Sequence, residues 1–384
     1  MASKQKIVYF LGAGSSYSFG YPLTWQIMPD ILDKIKKGVL FNSIPETIRN
    51  DKDAESEAEL LGYIELVYPG LKDIDLDKDA DRVPNITEVF SFVDHLCFYN
   101  TPHHPKMGES RLTAFRILLN RALAELLQFY EYNLDNGSDK FVKERSLKNK
   151  FITLLKNECN DKEISVITTN YDMVIDFAFI KEASEKLIDF GFPYRDHTKS
   201  DILYQPKEPK LKYYKLHGSL NWLSCSLCGR YYINPYESLV RQEFKEISND
   251  GNNCICNKEI RLKTVLVAPS IVRDIRDSNI LQIWNAALEA IRTADKLIMI
   301  GYSLPAEDLA IKSIILRGLN GRRYNKLPEL EVVQFGEQAK PNYQNIFGSV
   351  FKEANYYNEG LEVYLKKKHP DLKAAESTIT GSVG

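Results

Sequence analysis

The chain has 384 residues, enough at ~100–200 residues per domain for two domains or for one domain with large insertions. Its 44% apolar and 27% charged residues exclude a fibrous or a wholly disordered protein, and a formal charge of −2 gives no global basic field that would favour direct nucleic-acid binding. No run of about 18 apolar residues and no secretion signal is found, so we expect a soluble, cytoplasmic protein without membrane association.

The first predicted element is a strand at residues 6–11, followed by a Gly-Ala-Gly-Ser-Ser turn at 12–16 and a helix. Small residues at such a turn let backbone N–H groups approach a pyrophosphate. An ordinary strand-to-helix turn is the alternative, because the dehydrogenase pattern G-x-G-x-x-G would need glycine in place of Tyr17. A P-loop is excluded, since the chain has no G-K-[ST] sequence.

A helical insertion is predicted for residues 27–150, where helical periodicity alternates with polar stretches. Its longest amphipathic segment runs from Leu112 to Tyr130, with apolar residues at i, i+3, i+4 and i+7. Phe98 and Tyr99 in this region are candidates for an oligomer or partner surface, with burial in the core as the alternative.

Five more β-rich runs follow, and each ends in small or polar residues. They begin at Ile164, Tyr213, Thr264, Lys296 and Glu331, and a helix is predicted near 281–294. Six strands separated by helical segments predict an α/β fold with a Rossmann-like, doubly wound parallel sheet. Ligands of such sheets bind beyond the carboxyl ends of the strands, where the strand order reverses.

Three polar residues follow strands of this sheet. Asn170 and Asp172 come directly after one strand, and His217 comes after another and precedes a glycine. An imidazole there suits proton transfer near neutral pH. The alternatives are a structural histidine and helix caps, each cap contributing ~1 kcal/mol of stability.

Six cysteines occur in the chain, and four of them form two pairs at zinc-ribbon spacing: Cys225, Cys228, Cys254 and Cys256. Four thiolates leave no position for water, so we predict a structural Zn²⁺ rather than a catalytic one. Four unrelated buried thiols are the alternative. Cys97 and Cys159 are isolated, and we predict that they are small core residues.

The chain resembles the sirtuin superfamily in five motifs that occur in the same order: Gly12-Ala13-Gly14-Ser15, Thr169-Asn170-Tyr171-Asp172, Leu216-His217-Gly218-Ser219, the cysteine module and Gly301-Tyr302-Ser303-Leu304. The resemblance spans residues 6–340 but not 27–150. It implies NAD+ bound between a Rossmann-like domain and a small zinc-containing module. It implies catalysis by His217 as general base with Asn170 and Asp172, which order the nicotinamide ribose. It also implies NAD contacts from Gly12, Ala13, Gly14, Ser15, Thr169, Gly301, Ser303 and Gly336.

Together with the helical periodicity of 27–150 and the small, polar C-terminal residues, the resemblance predicts four segments. Residues 1–26 and 151–366 form the sirtuin-like Rossmann NAD-binding domain, 27–150 the helical insertion, 222–260 a four-cysteine zinc-ribbon-like module, and 367–384 a disordered tail.

Two departures bear on the activity. Deacetylating members usually continue into Gly-Ile-Pro-Asp-Phe-Arg, where residues 20–25 here read Gly-Tyr-Pro-Leu-Thr-Trp; they also carry Phe-Gly-Glu after the zinc module, where residues 267–272 read Val-Ala-Pro-Ser-Ile-Val. The chain therefore keeps the motifs for NAD and lacks those for acyl-lysine. In this respect it is similar to the NAD+ hydrolases of bacterial anti-phage defence, which deplete NAD.

That similarity implies an NAD+ glycohydrolase gated by assembly or by a partner. It further implies a homo-oligomer and a co-encoded helicase-like ATPase or Argonaute-type protein. The alternatives are an NAD-dependent protein deacylase or ADP-ribosyltransferase, and a non-catalytic module that senses NAD or ADP-ribose.

Overall fold

The computed structural model describes residues 4–42, 51–99, 104–135, 139–180, 188–197, 203–234, 238–239, 253–270, 277–306, 308–322 and 326–372. The strands are β1 Lys6–Leu11, β2 Glu163–Thr168, β3 Ile188–Asp189, β4 Tyr194–Asp196, β5 Leu203–Tyr204, β6 Leu211–Lys215, β7 Gly218–Ser224, β8 Tyr231–Ile233, β9 Asn253–Cys254, β10 Asn257–Arg261, β11 Lys263–Leu266, β12 Lys296–Ile300, β13 Glu329–Val333 and β14 Tyr356–Tyr357. The helices are α1 Ala13–Ser18, α2 Thr24–Lys36, α3 Asp51–Val67, α4 Leu76–Asp79, α5 Ile86–Tyr99, α6 Glu109–Asp135, α7 Val142–Asp161, α8 Val174–Ile180, α9 Ser278–Thr293, α10 Leu309–Asn320, α11 Lys340–Phe347 and α12 Gly360–Lys368.

The main sheet has seven strands in the order β14-β13-β12-β1-β2-β6-β3, and every neighbouring pair is parallel. In the central strand, Tyr9 lies opposite Val166 on one side and Ile298 on the other. The chain builds outward from β1 through β2 and β6, then returns to β12 on the other side, so the strand order reverses beside β1. The predicted doubly wound α/β fold is confirmed.

One of the six predicted strands does not belong to this sheet. The run beginning at Thr264 is β11, which pairs antiparallel with β7 in a second sheet of order β11-β7-β8-β4-β5. A parallel crossover needs a long connection, usually a helix, whereas β11 follows the hairpin of the cysteine module and returns alongside β7. The strand was predicted correctly, but its assignment to the parallel sheet was wrong.

The helical insertion packs on the Rossmann core, and buried residues of both share one hydrophobic cluster. Helix α6 extends beyond the predicted segment at both ends. Phe98 and Tyr99 are 68% and 60% exposed, so the alternative of burial in the core is wrong and the partner surface stays a prediction. Cys159 is buried as predicted, whereas Cys97 is exposed and its predicted place in the core is wrong.

The last helix of the described chain is α12, which includes the first two residues of the predicted tail; residues 373–384 lie outside the described residues. No helix in the described ranges is both long and apolar enough to cross a membrane.

Candidate active site

A cavity of about 330 Å³ opens beyond the carboxyl ends of β1, β2, β6 and β12. This is the edge of the sheet where the strand order reverses, the expected place for a ligand. Residues predicted from the sequence line the cavity from four different strand ends: Ala13, Thr169, Asn170, Asp172, His217, Gly301 and Ser303. The fold therefore brings together side chains that are almost 300 residues apart in the chain.

His217 is held in one orientation at the cavity wall. The side chain is 4% exposed, and its Nδ1 lies 2.9 Å from the carbonyl oxygen of Thr169. A carbonyl oxygen can only accept a hydrogen bond, so Nδ1 carries a proton, and in the neutral imidazole Nε2 then carries the lone pair. This tautomer presents the basic nitrogen that a general base needs.

The residue after His217 must be glycine. Gly218 has φ +79°, and a Cβ there would lie 2.0 Å from the carbonyl oxygen of Val265. The amide of Val267 in turn donates to the His217 carbonyl at 2.9 Å. The close approach of β7 and β11 therefore fixes the backbone that carries the imidazole.

Asn170 joins two of the strand-end loops. Its Nδ2 donates to the carbonyl oxygen of Gly12 at 2.9 Å and to Ser15 Oγ at 3.2 Å, and its backbone N–H donates to Thr168 Oγ1 at 3.0 Å. Because the Gly12 carbonyl can only accept, the amide nitrogen must face the glycine turn. Asn170 thus holds the loop after β2 against the turn after β1.

Asp172 has a structural role as well as a place in the cavity. Its Oδ1 accepts from the backbone N–H of Val174, the first residue of α8, at 3.2 Å, and its Oδ2 accepts from Ser16 Oγ at 2.6 Å. The side chain is 8% exposed. Asp172 therefore caps a helix, as the alternative interpretation expected, and also ties that helix to α1.

The glycine turn packs against the turn after β12. The N–H of Gly14 donates to the Gly301 carbonyl at 2.8 Å, and the N–H of Ser15 donates to the Gly12 carbonyl at 2.9 Å. A Cβ on Gly301, which has φ +63°, would lie 2.1 Å from the Ser15 nitrogen. These glycines serve the contact between two backbone turns, and of the four predicted residues in the first turn, Ala13 is the one that lines the cavity.

Gly336 lies away from this set. It follows β13 with φ +72°, donates to the Asn358 carbonyl at 2.8 Å and accepts from the Tyr356 hydroxyl at 3.1 Å. It is not one of the residues that line the cavity.

The four cysteines Cys225, Cys228, Cys254 and Cys256 come together as one cluster. Their Sγ atoms all lie within 4.8 Å of one another, with 3.7 Å between Cys225 and Cys256 and 3.6 Å between Cys228 and Cys254. A tetrahedron with Zn–S bonds of about 2.3 Å has sulfur atoms about 3.8 Å apart, whereas a disulfide needs about 2.05 Å. The predicted cluster is confirmed, the alternative of four unrelated thiols is wrong, and the sulfur positions fit zinc.

A tyrosine supports the cluster. The Tyr232 hydroxyl lies 3.1 Å from Cys254 Sγ. Burial opposes ionisation of this thiol, but the hydrogen bonds from Tyr232 and from the Cys256 amide outweigh it and lower the pKa of Cys254 to about 6. A thiolate is the form that binds a metal.

Comparison with known proteins finds a family model that matches this site. Residues 164–344 match the family model described as the SIR2-like domain, and the match includes Asn170, Asp172, His217 and all four clustered cysteines. Residues 164–344 are therefore similar to SIR2-like domains. The predicted resemblance to the sirtuin superfamily is confirmed, and such a domain implies NAD-dependent activity of the sirtuin kind.

Solved structures of Sir2 proteins are similar to the chain at low identity. A structure described as Sir2 with p53 peptide and NAD+ is 16% identical, with 95% of this chain and 92% of that chain covered and a TM-score of 0.39. Sir2Tm bound to a propionylated peptide is 14% identical, with 95% and 93% covered and a TM-score of 0.37. No curated protein matches the chain.

The SIR2-like domain also contains a buried ionic network that the sequence analysis missed. Lys215 Nζ lies 3.1 Å from Asp176 Oδ2, with both side chains fully buried, and it donates to the Asp172 carbonyl at 2.5 Å. Asn221 Nδ2 donates to Asp176 Oδ1 at 3.2 Å. Burial raises the pKa of Asp176, and Lys215 opposes that shift. The signal for this network in the sequence was Lys215, a charged residue in a strand whose other residues are mostly buried.

The opposite side of the cavity comes from outside the SIR2-like domain. It is formed by residues 21–27, by the start of α5 and by α6, and most of its side chains are apolar: Tyr21, Pro22, Trp25, Ile27, Ile86, Leu123 and Leu127. Trp25 is 61% exposed although it borders the cavity. Sequence reasoning missed this wall, because helical periodicity shows which face is apolar but not what that face contacts.

Proposed function

We propose that the protein is an NAD+ hydrolase that cleaves the nicotinamide–ribose bond to give nicotinamide and ADP-ribose. The observation that carries this proposal is the cavity in which His217, in the tautomer of a base, lies with Asn170 and Asp172 at the reversal point of a Rossmann-type sheet. The SIR2-like domain that holds these residues implies NAD-dependent activity.

In this proposal, NAD+ lies along the strand-end side of the cavity. Ala13 contacts the phosphates, Thr169 and Asn170 border the nicotinamide ribose, and Gly301 with Ser303 contacts the adenosine side. Gly12, Gly14 and Ser15 contribute by holding the turn that carries Ala13, since all three of their N–H groups donate to protein carbonyls. We propose that Gly336 lies near the adenine of bound NAD+, outside the cavity described above.

The chain's residues suit cleavage with water as the acceptor. The bond between ribose C1′ and the nicotinamide nitrogen breaks, the electron pair leaves with nicotinamide, and no acid is needed because that leaving group becomes neutral. Water forms the new bond to C1′ and gives up a proton to His217 Nε2, directly or through a ribose hydroxyl. General base catalysis of this kind contributes about 10²–10⁴-fold in rate.

Asp172 and Asn170 position the reacting groups. The Asp172 carboxylate, fixed by Ser16 and by the start of α8, places negative charge beside the ribose, where positive charge develops. Asn170 holds the loop that carries the Thr169 carbonyl, and that carbonyl fixes the imidazole.

Incubation of the purified protein with NAD+ alone tests the proposal. We expect nicotinamide and ADP-ribose in equal amounts, measured by chromatography, with no increase when an acetyl-lysine peptide is added. Turnover that requires the peptide would identify a deacylase, and transfer of ADP-ribose to protein would identify a transferase. Tight NAD+ binding without turnover, with or without partner proteins, would identify a sensing module.

For the cellular role, we propose NAD depletion during phage infection in the cytoplasm, with activity gated by homo-oligomer assembly or by a co-encoded helicase-like ATPase or Argonaute-type partner. Expression in a phage-sensitive bacterium tests it: NAD should fall after infection with the wild-type chain and not with His217→Ala. Equal NAD levels in the two infected cultures would contradict this role.

A further inference from the structure

Helix α6 of the helical insertion sends a buried carboxylate to the edge of the candidate active site. Glu131 is 6% exposed and accepts a hydrogen bond from the Tyr21 hydroxyl. The backbone N–H of Met173 donates to the same oxygen, Oε2, at 3.4 Å. Neither the proposed chemistry nor the SIR2-like match, which begins at residue 164, gives Glu131 a role.

The two donors lie on two loops that border the site. Tyr21 follows α1, lines the cavity and donates its own backbone N–H to the Ser16 carbonyl at 3.0 Å. Met173 is adjacent to Asp172, and Ser16 Oγ donates to Asp172 at 2.6 Å. These contacts close a ring, here called the Glu131 ring, that runs through Glu131, Tyr21, Ser16, Asp172 and Met173.

The ring has energetic consequences for the loops. A carboxylate removed from water is costly unless donors satisfy it, so the folded chain favours the loop positions that bring the Tyr21 hydroxyl and the Met173 N–H to Glu131. Two apolar residues of the same helix, Leu123 and Leu127, line the cavity. Helix α6 thus both encloses the cavity and fixes the backbone on either side of it.

We propose that Glu131 is a positioning residue for the reaction, acting through Tyr21 and Met173 to hold Asp172 and the loop after β2 in the reactive geometry. The inference rests on the proposed function for its effect on turnover. Its structural part, the restraint on residues 170–174, concerns the free protein. The helical insertion is thereby connected to the chemistry, and a partner bound to that insertion has a physical route to the site.

Four variants test the inference. Glu131→Ala removes the acceptor, Glu131→Gln keeps an oxygen that accepts from both donors, and Tyr21→Phe removes one donor. Glu125→Gln is the matched control, because Glu125 is a buried carboxylate on the same helix that lies 3.9 Å from Arg121 within the insertion.

Two measurements are made on each variant: amide hydrogen exchange of the peptide spanning residues 168–176 without NAD+, and kcat and KM for NAD+ cleavage. For Glu131→Ala we expect faster exchange in that peptide and a kcat about 10- to 100-fold lower, with KM within about twofold of wild type. Glu131→Gln should recover most of the kcat, Tyr21→Phe should lie between the two, and Glu125→Gln should match wild type in both measurements.

Unchanged exchange of residues 168–176 in Glu131→Ala would overturn the inference, whether or not the wild-type protein cleaves NAD+. Equal losses in Glu131→Ala and Glu125→Gln would overturn it too, because the effect would then be general destabilisation. If the wild-type protein cleaves no NAD+ but exchange rises in Glu131→Ala alone, the proposed function fails and only the restraint of residues 170–174 by Glu131 stands.

Discussion

The cavity has two walls of different chemistry. The strand-end wall, made by the residues that follow β1, β2, β6 and β12, carries the polar groups Asn170, Asp172, His217 and Ser303. The helix wall, made by cavity residues at 21–27 and 85–127, is mainly apolar. Under the proposed function, the bond-breaking chemistry belongs to the strand-end wall, and the helix wall encloses the substrate and limits what else enters.

The largest expected change in kcat comes from substitution of His217 on the strand-end wall. His217→Ala removes the base and should lower kcat for NAD+ cleavage about 10²–10⁴-fold, with the melting temperature close to that of wild type. Nicotinamide release measures the rate, and thermal unfolding measures the stability.

The matched control is His197→Ala, because His197 is a half-buried histidine at the end of β4 in the second sheet. It should keep wild-type turnover. Retained activity in His217→Ala would show that His217 is not the base, and it would contradict the proposed difference between the walls.

A second test asks whether the strand-end wall depends on the cysteine cluster. Strand β7 begins directly after His217 and is followed by Cys225, and the cluster has a small hydrophobic core of its own. Cys225→Ser with Cys228→Ser should abolish zinc content, measured by atomic absorption. The melting temperature should fall by several degrees, because a closed zinc site contributes folding free energy.

We expect the loss of stability in this double variant to exceed the loss in kcat measured at low temperature. Cys97→Ser is the control, since Cys97 is exposed and isolated. A double variant that melts like wild type but is inactive would show that the metal role is misassigned.

A third test concerns the junction between loops on the strand-end wall. Asn170→Asp places a carboxylate oxygen where Nδ2 now donates to the Gly12 carbonyl, so two acceptors would face each other. Loss of that bond should lower the free energy of unfolding by about 1–3 kcal/mol, and turnover should fall with it.

Urea denaturation measures the stability change at Asn170. Ser303→Ala, at an exposed position of the same wall, should leave the free energy of unfolding unchanged. An Asn170→Asp protein with wild-type stability and turnover would mean that the asparagine contact does not organise the wall.

The two walls also differ in how much the sequence revealed. Strands of the parallel sheet end in recognisable polar motifs, and parallel topology places those ends together, so the common position of Asn170, Asp172 and His217 was predicted without a structure. The partner of a strand is not encoded in its own pattern, and this is why β11 was placed in the wrong sheet. Tyr21, Trp25 and Glu131 were missed because their roles depend on tertiary contacts between distant segments.

The smallest expected effect tests the helix wall itself. Trp25 keeps 61% of its surface exposed at the cavity, and an aromatic face in that position can stack on a flat ring of the substrate. Trp25→Ala should raise KM for NAD+ about fivefold, equivalent to ~1 kcal/mol of stacking, and leave kcat within about twofold, whereas Trp25→Phe should behave like wild type. Because uniform binding affects KM and chemistry affects kcat, this outcome would separate the helix wall from the strand-end wall kinetically. A fall in kcat with unchanged KM would instead show that Trp25 contributes to the chemical step, and it would contradict the proposed division of roles between the walls.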